Sequence, residues 1–248
     1  MKLSKDTRKR LDKICEFILA FILGKRCACC GEIIETHKNL CERCKDKIVT
    51  NDNGCDTCGQ PKATCVCKRQ RFEFDGIISP FIYDGAVKDG IRRMKKDVGG
   101  DTAEYFGDEI SRLVCVKQWQ NKIDLIVCVP LTKEREREKG YNQSALLAKR
   151  ISKNLSIPFS KNALVKLYKN KEQHHLRILD RAGNVLGVYE AVGEICENKN
   201  ILLIDDVTTG GATLNECAKM LKIAGANKVY CAVAAVTVKY NPTKNADE

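Results

Sequence analysis

Beyond Lys68 the chain alternates short apolar runs with amphipathic stretches, and the two periods mark out its elements. Gly76 to Tyr83 predicts a strand, Val87 to Lys96 a basic helix and Ala103 to Lys117 a longer helix. Ile123 to Val129 predicts a buried strand, Asn142 to Leu155 a helix, and Ile201 to Ile204 another strand. Thr213 to Ala224 predicts a helix and Lys228 to Val238 a last strand. Leu125-Ile126-Val127-Cys128-Val129 is apolar at every position, as suits a parallel strand covered on both faces. Strand and helix in alternation predict a doubly wound α/β domain over residues 74–240. In such sheets ligands bind beyond the carboxyl ends of the strands.

The ends of the chain read differently. Lys2 to Lys13 is basic and Ile14 to Gly24 mostly apolar, but Glu16 interrupts the apolar stretch. Lys25-Arg26-Cys27 follows, with no small-residue cleavage site. Residues 1–26 are therefore expected to form an amphipathic helix, with Leu11, Ile14, Ile18 and Phe21 or Ile22 on one side. The longest apolar run, Phe17 to Gly24, is far below the roughly 20 residues of a membrane span. Residues 241–248 are expected to be a disordered tail.

Composition narrows the class. Of 248 residues, 44% are apolar and 30% charged, which excludes a disordered or collagen-like chain. Lys and Arg number 43 against 32 Asp and Glu, a net +11 that favours polyanionic partners such as nucleotides, phosphorylated metabolites or nucleic acid.

The cysteines change the picture most. There are 15, of which nine lie between Cys27 and Cys67. They read Cys27-x-x-Cys30-Gly31, Cys41-x-x-Cys44, Cys55-x-x-Cys58-Gly59 and Cys65-x-Cys67. A Cys-x-x-Cys-Gly knuckle turns two thiolates toward one point, and two such pairs complete a tetrahedral zinc site. The preferred grouping is Cys27, Cys30, Cys41 and Cys44 for one ion and Cys55, Cys58, Cys65 and Cys67 for another; a cross-braced arrangement would use the same ligands differently. Such zinc is structural, because thiolates fill every position and leave none for water. Disulfides would need an oxidising compartment, so this usage points to the cytoplasm. Residues 27–68 are too short and too polar for a core of their own, so metal binding is expected to drive their folding. Cys29 is a spare thiol and His37 is not needed. The six cysteines outside the cluster are expected to be buried small hydrophobes.

One loop carries the candidate chemistry. Ile201-Leu202-Leu203-Ile204 ends in Asp205-Asp206, and Val207-Thr208-Thr209-Gly210-Gly211-Ala212-Thr213 then opens a helix. Backbone N–H groups of the turn and the helix N-terminus make an anion cradle. Carboxylates beside a phosphate cradle would repel the phosphate. They make sense as acceptors for sugar hydroxyls, with Mg²⁺ nearby. Cradle and acceptors together imply a ribose 5-phosphate ligand. An N-cap would use one such residue, not an Asp pair and a Thr/Gly loop, and the Lys of a P-loop is absent.

Asp205 to Thr213 resembles the phosphoribosyl-diphosphate fingerprint of type I phosphoribosyltransferases, and the preceding knuckles make the whole similar to the ComF family of competence-associated proteins. Val129-Pro130-Leu131, Arg135 and Lys139-Gly140-Tyr141-Asn142-Gln143 are similar to that family's Val-Pro, Arg and Arg-Gly-Phe-Asn-Gln pattern. Gln173, Arg181 and Asn184 fit its later stretch, and Tyr83, Gly85 and Lys95 its first strand and helix. The chain departs from the pattern at Gly210, where the fingerprint has a Thr, and at Lys139, which replaces an Arg and loses its bidentate fork.

The resemblance implies a type I phosphoribosyltransferase-like parallel sheet flanked by helices, preceded by a double zinc ribbon. It implies that Asp205 and Asp206 accept the ribose hydroxyls and that Thr209, Gly210, Gly211, Ala212 and Thr213 hold the 5-phosphate. Arg135 and Lys139 would face pyrophosphate, and Arg181 would belong to a stretch closing over the site. The ligand would be phosphoribosyl diphosphate with Mg²⁺, and the setting natural competence and DNA uptake. A non-catalytic reading stands beside it, in which the pocket is retained and the basic surface contacts single-stranded DNA or a competence helicase. Arg92, Arg93, Lys95 and Lys96 read equally as ligand contacts or as a solvated helix face. The adjacent His174 and His175 read as polar loop positions, and Trp119 as a single exposed ring.

Overall fold

The computed structural model describes residues 24–65, 67, 71–96, 100–167 and 188–238. Residues 1–23 of the expected N-terminal helix and the C-terminal tail lie outside the described residues, as do Arg181 and the two adjacent histidines; the last two residues of that expected helix, Lys25 and Arg26, form a strand instead.

The first elements are small: β1 (Lys25–Arg26) and β2 (Ile33–Ile34) pair antiparallel around the first knuckle, and α1 (Glu42–Lys45) carries Cys44. The body follows, with β3 (Gly76–Ile78), β4 (Phe81–Ile82), α2 (Gly85–Lys96), α3 (Gly100–Val116) and β5 (Leu125–Cys128). Next come α4 (Lys133–Lys139), α5 (Gln143–Leu155), β6 (Phe159–Ser160), β7 (Leu164–Lys166), β8 (Tyr189–Ala191) and α6 (Gly193–Cys196). The chain closes the body with β9 (Asn200–Thr208), α7 (Ala212–Ile223) and β10 (Lys228–Val236). The order β3-β10-β9-β5-β6 forms one sheet, parallel throughout, with β4 also alongside β10. β7 and β8 form a separate antiparallel pair.

The central strands are buried on both faces because alternate side chains serve different layers. Ile126, Leu202, Ile204 and Ala232 face the layer built from α2, α3 and α5, where Phe106, Ile110 and Leu147 are fully covered. Val127, Ile201, Leu203 and Val233 face the layer of α7 and the β7–β8 pair, with Leu214, Leu221 and Tyr189.

Several boundaries differ from the sequence expectation for physical reasons. The strand expected over 76–83 breaks at Ser79-Pro80, because Pro80 has no N–H to donate to a ladder. The Pro80 carbonyl instead accepts from Asn51 N at 2.8 Å, and Thr50 bridges Phe81, so the segment between the two cysteine clusters docks on this edge. β9 runs beyond Ile204, through both aspartates to Thr208, because its neighbour β10 continues to pair with it (Asp205 beside Val233, Thr208 beside Val236). The charged run after Thr132 is helical although it buries nothing. Thr132 caps its start by accepting from Arg135 N, Gly140 ends it in the left-handed region, and the first turn carries Glu134 and Glu136 and the last Arg137 and Lys139.

Trp119 corrects the expectation of an exposed ring. It is buried against Tyr230, with ring centroids 4.7 Å apart. Among the cysteines outside the cluster, Cys128, Cys196, Cys217 and Cys231 are buried as expected, but Cys115 is exposed near the end of α3. The helix period places it on the solvent side despite apolar neighbours. No helix of the described residues is long and apolar enough to cross a membrane.

Candidate metal centres and phosphoribosyl site

The cysteines converge in two groups. Cys27, Cys30, Cys41 and Cys44 bring their sulfurs within 4.8 Å of one another, as do Cys55, Cys58, Cys65 and Cys67. The grouping is sequential and not cross-braced. Sulfurs sit 3.7 Å apart for Cys30 and Cys41, 3.6 Å for Cys55 and Cys67, and 3.4 Å for Cys58 and Cys65. A tetrahedral zinc with Zn–S near 2.3 Å has edges of about 3.8 Å, so the residues fit that ion. Cys29 lies outside both groups, and burial pushes its thiol up to about 12. His37 is exposed and lies 3.2 Å from Glu35, away from the thiols.

Each cluster is moored to a different part of the body. The first sits on α2 and α3, where Arg93 Nη1 donates to the Cys27 carbonyl at 2.8 Å and Thr102 Oγ1 to the Ala28 carbonyl at 2.8 Å. Gly90 makes that approach close; a Cβ there would lie 3.1 Å from the Ala28 carbonyl oxygen. The second cluster lies beside β3 and the end of β10, where Ile77 N donates to the Asp56 carbonyl at 2.9 Å.

The carboxyl end of β9 holds the second site. Asp206 is buried, and Lys95 Nζ from the last turn of α2 reaches within 3.1 Å of its Oδ2. Asp205 Oδ1 accepts from Ser144 Oγ at 2.8 Å and from Asp206 N at 2.9 Å. Burial, reinforced by the charge of Asp206, raises the Asp205 carboxyl above the ordinary range. Ser144 is placed by Asn142, the N-cap of α5, whose Oδ1 accepts from Ser144 N at 3.0 Å. Asn142 Nδ2 donates to the Val129 carbonyl at 3.0 Å, tying this turn to the end of β5. Tyr141 OH donates to the Met94 carbonyl at 2.9 Å, which ties the same turn to α2.

Three cations converge on the turn after β5. Partial burial holds the Lys139 ammonium below its ordinary range, and the nearby Arg135 and Lys95 push it the same way. Mutual repulsion of this kind is what a bound anion would relieve. Across from them, Lys166 at the end of β7 stands over the Tyr189 ring, 5.3 Å from its centroid. Burial lowers Lys166 as well, with Arg135 adding to the effect.

The glycine-rich turn closes the arrangement. Gly211 is in the left-handed region at φ +77°, and its N–H donates to Thr208 Oγ1 at 3.0 Å. A Cβ there would be strained by that φ and would press on the Phe72 ring at 3.2 Å. Thr209, Gly210, Ala212 and Thr213 remain exposed around it, open to a ligand.

Of the residues expected at the site, the structure gathers Asp205, Asp206, Arg135, Lys139 and the 209–213 turn, while Arg181 lies outside the described residues. Sequence reasoning left Lys95 undecided between solvent and ligand; the structure brings its ammonium to Asp206. It missed Ser144, Thr208 and Lys166. The adjacency of Ser144 to the Asn142 cap was a usable signal, whereas nothing near Lys166 in sequence points across the sheet.

The donors suit a hard cation as well as a sugar. The adjacent carboxylates of Asp205 and Asp206 at the end of β9 offer oxygen donors of the kind Mg²⁺ takes, usually with a substrate phosphate completing its shell.

Comparison with known proteins agrees with both halves. Residues 115–248 match the model of the phosphoribosyl transferase domain and residues 18–71 that of the double zinc ribbon domain. The chain belongs to the phosphoribosyltransferase-domain proteins and, by pairing that domain with a double zinc ribbon, to the ComF family. It is 27% identical to competence protein ComFC of Bacillus subtilis over 200 residues, spanning 76% of this chain and 80% of that one. It is 24% identical to DNA utilization protein YhgH of Escherichia coli over 227 residues, spanning 88% and 94%. Competence protein F of Haemophilus influenzae is 32% identical over 110 residues, spanning 43% of this chain and 47% of that one.

Proposed function

We propose that this protein binds phosphoribosyl diphosphate with Mg²⁺ at the 205–213 loop and serves natural competence and DNA uptake. The observation that carries the reading is the pairing of buried Asp206 with Lys95 beside the Gly211 turn. The pairing supports the reading because carboxylates, a glycine turn and a cation then share one strand end. The competence setting rests on the names of the relatives at 27% and 24% identity.

Asp205 and Asp206 accept hydrogen bonds from the ribose hydroxyls, and the N–H groups of the 209–213 turn other than that of Gly211, which Thr208 Oγ1 holds, receive the 5-phosphate. Arg135, Lys139 and Lys95 face the pyrophosphate. In transfer, the anomeric C–O bond breaks and its electron pair leaves with pyrophosphate, while a nucleophile from the acceptor forms the new bond at that carbon. The three cations stabilise the charge that grows on the leaving group. Asp205 and Asp206 are the residues that would hold Mg²⁺. When bound, the ion adds charge neutralisation at the diphosphate.

Calorimetric titration of phosphoribosyl diphosphate with Mg²⁺ tests this on the wild type and on Asp206→Asn. Micromolar binding that weakens by about 10- to 100-fold in the variant, the loss of one charge-assisted contact, is the expected outcome. Acceptor bases would then be screened for pyrophosphate release.

A second reading has the net charge of +11 in its favour: the pocket is retained without turnover, and the basic surface binds single-stranded DNA or a competence helicase. Absence of phosphoribosyl diphosphate binding, together with oligonucleotide binding that falls steeply with salt, would select it.

A further inference from the structure

The second cysteine cluster meets the phosphate loop directly. Gln60 follows the Cys55-x-x-Cys58-Gly59 knuckle, and its Nε2 donates to the Thr237 carbonyl at 2.9 Å and reaches the Thr209 carbonyl at 3.5 Å. The two carbonyls belong to neighbouring backbones, since Thr237 N donates to the Thr208 carbonyl at 2.9 Å and the Thr209 and Thr237 hydroxyls lie 3.5 Å apart. One side-chain amide thus staples the start of the glycine turn to the strand beside it.

Gln60 is itself held by the knuckle. Cys55 N donates to the Gln60 carbonyl at 2.7 Å and Gly59 N to the Cys55 carbonyl at 2.8 Å. Buried Asn51 anchors the same turn from behind, donating through Nδ2 to the Gly59 carbonyl at 2.9 Å. The chain leaving this cluster then braces the loop from another side. Phe72 and Phe74 stack at 4.7 Å, Phe72 lies against Gly211, and Glu73 N donates to Asn215 Oδ1 of α7 at 2.7 Å. The first cluster has no such contact among the described residues; its moorings are on α2 and α3.

We infer that the second zinc ribbon positions the phosphate loop through Gln60, so that metal loading at Cys55, Cys58, Cys65 and Cys67 governs how well the loop is formed for its ligand. Gln60 is a positioning residue: it orders the Thr209 backbone without touching the ligand. The consequence for affinity rests on the phosphoribosyl reading above; the consequence for loop order does not.

Gln60→Glu is the sharp test, because it keeps the shape and replaces a donor with an acceptor facing two carbonyls. Zinc content, amide hydrogen exchange of the 207–213 segment without ligand, and affinity for phosphoribosyl diphosphate with Mg²⁺ are measured on the full chain. The expected result is unchanged zinc content, about tenfold faster exchange confined to that segment, and about tenfold weaker binding, one hydrogen bond's worth. Cys58→Ser, which strips the second ion, speeds the same segment, and Cys44→Ser, which strips the first, leaves it at the wild-type rate. Wild-type exchange in the segment for both Gln60→Glu and Cys58→Ser overturns the inference. If the wild type itself binds no phosphoribosyl diphosphate, the functional reading fails, and the exchange rates alone still decide the positioning role.

Discussion

The two halves of this protein solve the same problem with different physics. In the α/β body, order comes from area: strands β5, β9 and β10 are covered on both faces, and Phe106, Ile110, Leu202 and Leu203 are sealed from water. In the ribbons the described buried apolar positions are few, chiefly Cys27, Ala28, Cys29 and Cys44, and they are mostly the sulfur residues themselves. A module with so little apolar area cannot offset its chain entropy, so the thiolate–metal bonds must do so. The difference teaches where each half is vulnerable. The body fails when its packing is cut, the ribbons when a ligand is removed, and the loop between them answers to both.

The largest effect expected is on the ribbon side. Cys44→Ser leaves three thiolates at the first site and forfeits most of the roughly 10–16 kcal/mol that a structural zinc supplies. Zinc per chain falls from two to one, and residues 24–48 become the first sites of limited proteolysis, while far-ultraviolet dichroism keeps the signal of the body. If both ions and the body are lost together, the two halves are not energetically separate.

On the body side, Phe106→Ala empties a fully buried position between Phe81 and Tyr105 and is expected to cost about 3–5 kcal/mol. Denaturant unfolding would record it as a lower midpoint with both zinc ions retained until the body unfolds. A smaller effect is expected where the halves meet. Gly211→Ala, at φ +77° and against Phe72, should cost about 1–2 kcal/mol and weaken ligand binding, with zinc content unchanged.

The smallest effect belongs to a pair joining two body helices. Arg150 grips Asp108 through Nε at 2.6 Å and Nη2 at 2.8 Å. Partial burial pushes the Asp108 carboxyl up, but hydrogen bonds from Arg150 and Asn154 outweigh it and hold the group below its usual range. A carboxylate depressed in the folded state contributes stability at neutral pH and loses it as pH falls through its folded value. Asp108→Asn should therefore cost about 1 kcal/mol at pH 7, and the gap from the wild type should close below about pH 4. A gap that stays constant into acid would assign the cost to packing and not to charge.

Much of this was legible in the chain. Cys-x-x-Cys spacing reports local geometry, because a knuckle is made within a few residues, and the sequential grouping of ligands followed the order of the pairs. The buried strands were legible because an apolar run of that length has few other uses. Boundaries were less so. The sequence pattern stopped the ninth strand at Ile204, where apolarity ends, yet β10 beside it keeps pairing through Asp205 and Asp206. Trp119 looked exposed among Gln and Asn, and was buried by Tyr230, a residue of the last strand.

The sequence by itself determined the class of each half and singled out the strand end of the candidate site, since both follow from local pattern. Tertiary structure alone decided which distant residues complete the site. Lys95 comes from α2, Ser144 from α5 and Gln60 from the second ribbon, and no periodicity relates them to Asp205, Asp206 or Thr209. The reason is that spacing along a chain encodes only contacts closed within a turn or two. Contacts across a parallel sheet depend on strand order and register, which the packing of both layers settles together.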